Sequence, residues 1–229
     1  HLMKTNLFVK KRMLSKALDA TQEAMSTTAA QKEMGLIYQV TFLSLKAEAH
    51  IYINDSEIAE NLISRAEQIV LQKKISAPYA LSNYFSVRLL FDVESYETAL
   101  HQNNRSVLST LQKTAEISAT TASKKFKNLA INRTKAYRLI GKYYWLINKQ
   151  KKALKWYSKS IKSGKALDAK PDLARTYFEV GKNISSPQSR YKQLNGITAP
   201  EYLEKAKVMF EEMDLAWDLK NLKKITLEN

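Results

Sequence analysis

The chain contains no cysteine, only five glycines and four prolines among its 229 residues, and no long uninterrupted apolar run. Without cysteine there is no disulfide framework, no thiolate zinc or iron–sulfur centre and no cysteine nucleophile, which is compatible with a reducing, cytoplasmic setting. Glycine and proline together fall well below the roughly 12% of average proteins, too few for the hairpins of a β-sandwich or barrel. A largely helical chain remains. Apolar stretches such as Tyr143-Tyr144-Trp145-Leu146-Ile147 are far short of the ~20 residues that a membrane-spanning helix needs. Acidic residues are also scarce, 22 against 37 Lys+Arg, leaving a formal charge of +15.

What is present is an ordinary apolar fraction of 45%, enough to bury a core as one elongated domain or two small ones. The opening His1-Leu2-Met3 reads as two scar residues before an initiator-type methionine, so residues 1–3 are set apart and the chain is expected to be a fragment of a longer protein. Helical periodicity then predicts about ten helices. From Leu36, the series Tyr38, Phe42, Leu45, Ala49 and Tyr52 marks one amphipathic helix ending near Asn54. Asp55 can cap the next, which carries Ile58, Leu62, Ile63, Ala66 and Ile69. Pro78 suits a first helical turn, ahead of Leu81, Tyr84, Phe85, Leu89 and Leu90. A turn is expected between Glu94 and Asn104, followed by Val107, Leu108, Leu111, Ala115 and Ile117 on a further helix. The Ala/Thr/Ser-rich run Ser118–Ser123 reads as a soft boundary, dividing 4–122 from 123–229.

The second part carries an internal repeat. Tyr137, Ile140, Gly141 and Tyr144 fall on one helix and Ala153, Tyr157 and Ser160 on the next, with Asn148-Lys149-Gln150 as the turn. Forty residues on, Tyr177, Val180 and Gly181 match the first set, and Ala206 and Phe210 match Ala153 and Tyr157. Small residues let two antiparallel helices approach closely, so Gly141 is expected to face Ala153. This spacing resembles the tetratricopeptide repeat. The second copy carries an insertion near 185–199, expected as an exposed excursion, after which Thr198 and Glu201 fit a capping box. Leu43 and Ala47, with Ala59, Ile63 and Ala66, suggest a degenerate earlier copy. The fold expected is an all-α, continuous α-solenoid of antiparallel helix pairs.

The segments Gly141–Leu146, Lys151–Trp156, Leu173–Lys182 and Phe210–Leu219 are also similar to the tetratricopeptide-like tails of large bacterial signalling proteins. Those proteins join an ATPase module to an adenylate or guanylate cyclase, or to a kinase. The resemblance implies a non-catalytic regulatory or docking module whose partner is a protein, a peptide or another domain of the same polypeptide.

No catalytic, cofactor or metal motif stands against that reading. His1, His50 and His101 are dispersed, and His50 reads as a solvent-facing or hydrogen-bonded core histidine. Gly141-Lys142 and Gly181-Lys182 lack the remaining residues of a phosphate loop. The candidate binding residues are Lys142, Trp145, Lys152, Lys155 and Lys159. Lys152, Lys155, Lys159 and Lys162 share one helix face at i, i+3, i+7 and i+10, and Lys124, Lys125 and Lys127 form another basic cluster. Such a face reads first as the solvated outer side of a solenoid helix, and after that as one that would steer an acidic protein. The partner itself is expected in the groove lined by the first helices of the repeats, and the alternatives are a nucleic acid or a homo-oligomer.

Overall fold

The computed structural model describes residues 1–28 and 33–227, and the protein is all-α. Among the described residues there are eleven helices and one small hairpin. The helices are α1 (Leu2–Lys11), α2 (Leu14–Thr28), α3 (Glu33–Tyr52), α4 (Ser56–Gln72), α5 (Pro78–His101), α6 (Arg105–Lys125), α7 (Arg133–Leu146), α8 (Gln150–Ala166), α9 (Lys170–Ser185), α10 (Ala199–Glu212) and α11 (Ala216–Leu227). Strands β1 (Gln193–Leu194) and β2 (Ile197–Thr198) pair antiparallel between α9 and α10.

The shortage of glycine is met at the helix ends by other residues. Arg12, Asn54, Lys74, Asn103, Asn148, Asp168 and Asp214 take the left-handed conformation with φ between 48° and 62°. After α7, Asn148 N–H donates to Trp145 O (2.9 Å) and Lys149 N–H to Tyr144 O (2.8 Å), satisfying carbonyls that the helix leaves open. Asn and Asp tolerate this region because their short polar side chains can bond the local backbone. Proline is placed with similar economy, with Pro78, Pro171 and Pro200 all in first helical turns.

The chain divides into two compact units, His1–Asn132 and Arg133–Asn229. In unit 1, α3 packs on α2, α4 and α5, and α5 on α6. Leu43, Ala47, Ala59, Ile63 and Ala66 are all buried along α3 and α4. Asp55 caps α4 at the Ile58 amide (3.5 Å) and holds His50 Nδ1 at 3.1 Å, so His50 is a buried, hydrogen-bonded histidine. Ile58, Val107 and Ile117 point outward instead of completing their apolar stripes. For α6 the reason is its narrow buried face of Ala115, Ala119 and Ala122, which leaves the flanking apolar residues outside.

Ser118–Ser123 therefore lies inside α6, and the division falls after Asn132. The intervening loop belongs to unit 1, because the Ser82 hydroxyl donates to Ile131 O and the Asn132 amide to Asn83 Oδ1 (3.2 Å).

Unit 2 is built around α9, which packs on α7, α8 and α10, with α11 against α10 and α9. Tyr157, Tyr202, Phe210, Ala153 and Ala206 are fully buried. Gly141 lies against Tyr157 of α8: a Cβ there would sit 2.6 Å from its ring. Gly181 likewise lies against Leu203, at 2.7 Å, and Gly164 against Leu173, at 2.9 Å. The large residue fills the hollow that glycine leaves, and Tyr157 is held there because its hydroxyl accepts from Asn183 (2.8 Å). Gly141→Ala is expected to destabilise unit 2 by ~1–2 kcal/mol, overpacking outweighing the gain in helix propensity. Trp145, Trp156 and Trp217 all lie in unit 2, so a urea midpoint followed by tryptophan fluorescence measures this directly, and an unchanged midpoint would refute it.

The insertion is anchored rather than loose. Gln150 of α8 donates to Gln188 O and accepts from the Arg190 amide, both at 2.9 Å. Asn195 and Gly196 (φ 52° and 77°) form the tight turn between β1 and β2. The hairpin rests on both neighbours: Ser158 of α8 donates to Asn195 Oδ1 (3.1 Å) and Tyr202 of α10 to Leu194 O (3.0 Å). The expected capping box is present, with Thr198 N–H donating to Glu201 Oε2 at 2.7 Å.

Candidate partner-binding site

Helix α8 turns one face inward through Ala153, Leu154, Tyr157, Ser160 and Ile161. Its other side exposes Lys151, Lys152, Lys155, Lys159, Lys162 and Lys165, and the helix contains no acidic residue. This arrangement runs against local helix stability. Lys151 and Lys152 occupy the first turn, where the helix dipole disfavours a cation by about 0.3–1 kcal/mol. Lys152, Lys155, Lys159 and Lys162 also repel at i, i+3 and i+4 spacing. Burial of the opposite face holds the helix in place despite this.

Aromatic rings border the lysines. Lys159 Nζ lies 3.9 Å from the centre of the Trp156 ring and Lys152 Nζ 5.5 Å from that of Tyr144. Trp156 in turn packs on Tyr137 at 5.3 Å between centroids. The rings attract the ammonium groups weakly and keep their stems against the surface. Trp145 and Tyr144 are half-buried against the core of unit 2, a packing position.

Lys142 lies elsewhere. It is 7% exposed on α7, beside the buried Glu179 of α9, and does not share the α8 surface. Burial alone would push the Glu179 carboxyl up, but Lys182, Lys142 and Arg138 together hold it down at about 2. A second buried pair joins α9 to α11: Arg175 donates through Nε and Nη2 to the two oxygens of Asp218 at 3.0 and 2.7 Å. These charges bind helices to one another. Asp172, Arg175, Glu179 and Lys182 recur at spacings of three and four along α9, a pattern legible as one polar helix face, but not that its first three members are buried.

Each unit also carries a groove. In unit 2, Tyr177 of α9 and Val208 and Met209 of α10 line a groove of 490 Å³, with Glu201, Glu204, Lys205 and Glu212 along it. In unit 1, α4, α5 and α6 enclose a groove of 390 Å³ that includes Leu71, Phe85 and Ile117. Behind it, Tyr84 OH donates to Glu67 (2.8 Å), Arg88 pairs with Asp92 (3.0 Å), and Ser118 donates to Asp92. Burial pushes the Asp92 carboxyl up, against the pull of Ser118 and Arg88.

The repeat residues Tyr137, Ile140, Gly141, Tyr144, Ala153, Tyr157, Tyr177, Val180, Gly181, Ala206 and Phe210 all lie in unit 2, fully or partly buried. Of the candidate binding residues, Lys152, Lys155 and Lys159 share one exposed face. Among the described residues no group of His, Asp or Glu is arranged to hold a metal ion, and no helix is long and apolar enough to cross a membrane. Comparison with protein-family models, curated proteins and solved structures gave no match.

Proposed function

We propose that this chain is a non-catalytic interaction module, a regulatory part of a larger bacterial signalling protein. It docks an acidic surface, on another protein or on a further domain of its own polypeptide, against the lysine face of α8. The observation that carries this reading is a helix with six exposed lysines and no acid, two of them in the first turn where the helix dipole opposes them. A face assembled against its own local stability is a mark of function. The close contacts of Gly141 and Gly181 with the facing helices support the tetratricopeptide-like reading of the unit that presents it.

Fluorescence anisotropy with a labelled octaglutamate peptide tests the site. Binding is expected at low salt, weakening as salt screens the lysines. The triple variant Lys152→Glu/Lys155→Glu/Lys159→Glu should bind at least tenfold more weakly, since three exposed pairs of ~0.3–1 kcal/mol are turned into repulsions. Equal binding by the variant would exclude this face. Tighter binding to a 20-nucleotide RNA than to the peptide would favour the nucleic-acid alternative.

A further inference from the structure

Unit 2 carries a feature that matches its own lysine face. The α10 groove combines the apolar Tyr177, Val208 and Met209 with three carboxylates, Glu201, Glu204 and Glu212, against one cation, Lys205. That is the chemical complement of a lysine side chain, whose methylene stem is apolar and whose tip is cationic. The lengths also agree. With Glu201 held by the Thr198 cap, Glu204 to Glu212 spans about 12 Å of helix and Lys152 to Lys159 about 10 Å, at 1.5 Å per residue. Val208 is 42% exposed, so the groove lies open on the unit's surface. Within a chain of charge +15, a glutamate-lined groove is the exception that calls for a basic occupant.

We propose that the occupant is a second copy of this chain, whose α8 lysines lie in the α10 groove while its own α10 groove receives the first copy's α8. The two helices flank one hairpin, through Ser158–Asn195 and Tyr202–Leu194. In the dimer a two-fold axis relates the copies, so that lysines meet glutamates at both contacts at once. This inference rests on the docking role of α8 and names its partner. Net charge opposes the pairing over long range, whereas the contacts act at short range. Salt screens the long-range term first. Dimerisation is therefore strongest at intermediate ionic strength and falls away at both extremes.

Sedimentation velocity on the full chain from 1 to 200 µM is the test. The expected result is a monomer–dimer equilibrium at 0.1 M NaCl that weakens at least tenfold at 0.5 M. Lys152→Glu/Lys155→Glu/Lys159→Glu and Glu204→Lys/Glu212→Lys should each be monomeric alone, because each meets like charge in its own copy. Mixed one to one, they should form a heterodimer, since both contacts then pair opposite charges. A wild-type monomer throughout the range, or a mixture that stays monomeric, overturns the proposal. If octaglutamate binding is still lost in the lysine variant under those conditions, the docking role of α8 survives and only the identity of its partner falls. If peptide binding is unchanged in that variant, the docking role fails.

Discussion

Asp218→Ala is expected to cost unit 2 about 2–3 kcal/mol, because it removes the bidentate acceptor of the Arg175 guanidinium, which is 6% exposed, and leaves Asp172, at 4.0 Å, as an acid beside it. The carboxylate accepts two parallel hydrogen bonds from that guanidinium, an arrangement whose geometry water cannot reproduce once α11 covers it. The double variant Arg175→Met/Asp218→Leu should recover part of the loss, since an apolar pair of similar volume replaces the ion pair while the buried Asp172 loses the cation beside it. Urea denaturation followed by the tryptophans reads both, because Trp217 neighbours the substituted position and all three tryptophans are in unit 2. A double variant as unstable as the single one would mean that packing, not charge, dominates.

Glu179→Gln should lower stability by about 3 kcal/mol at pH 7, and the loss should depend on pH. The folded carboxyl is held at about 2, below its ordinary value of 4.5, by Lys182, Lys142 and Arg138 acting against burial. A value lower in the folded than in the unfolded chain contributes its full stability above pH ~4.5, and that contribution is lost as pH falls toward 2. The gap between wild type and Glu179→Gln should accordingly close across that window. A gap that stayed constant from pH 7 to pH 2.5 would show that the substitution acts through shape. Lys142→Met removes one of the three cations, so it should move the wild-type acid transition to higher pH.

The elements were legible where periodicity and punctuation agree. Asn54 followed by Asp55 ends one helix and caps the next, and Asn148-Lys149-Gln150 turns α7 into α8, because an αL residue and a side-chain acceptor act within a few positions of themselves. Thr198 and Glu201 are similarly local. The Asn195-Gly196 turn was equally local, and the dipeptide is a strong hairpin signal, yet the surrounding insertion reads as a loop from composition alone. Ser118–Ser123 misleads for the opposite reason. Its alanines mark a close-packed face rather than a break, and that depends on α5 lying alongside.

The candidate site divided in the same way. Lys152, Lys155 and Lys159 belong to one face by helical geometry alone, so their grouping needed no structure. Lys142 looks equivalent in sequence and is not, since Glu179, 37 positions away, makes burial of its ammonium tolerable. The close approach of Gly141 to the Tyr157 ring is a matter of register between two helices, which spacing within each helix does not set.

By itself the sequence determined that this chain is helical, roughly where its helices end, and which residues share a side. Its few glycines and prolines exclude hairpin-rich folds, and its asparagines and aspartates close the helices that glycine would otherwise terminate. Only the tertiary structure decided which polar residues are buried, which lysines face solvent, and that one hairpin contacts both α8 and α10. The physical reason is range. Caps and turns act over three or four residues, whereas the free energy of a charge depends on partners such as Arg175 and Asp218 that are 43 residues apart in the chain and 2.7 Å apart in the fold.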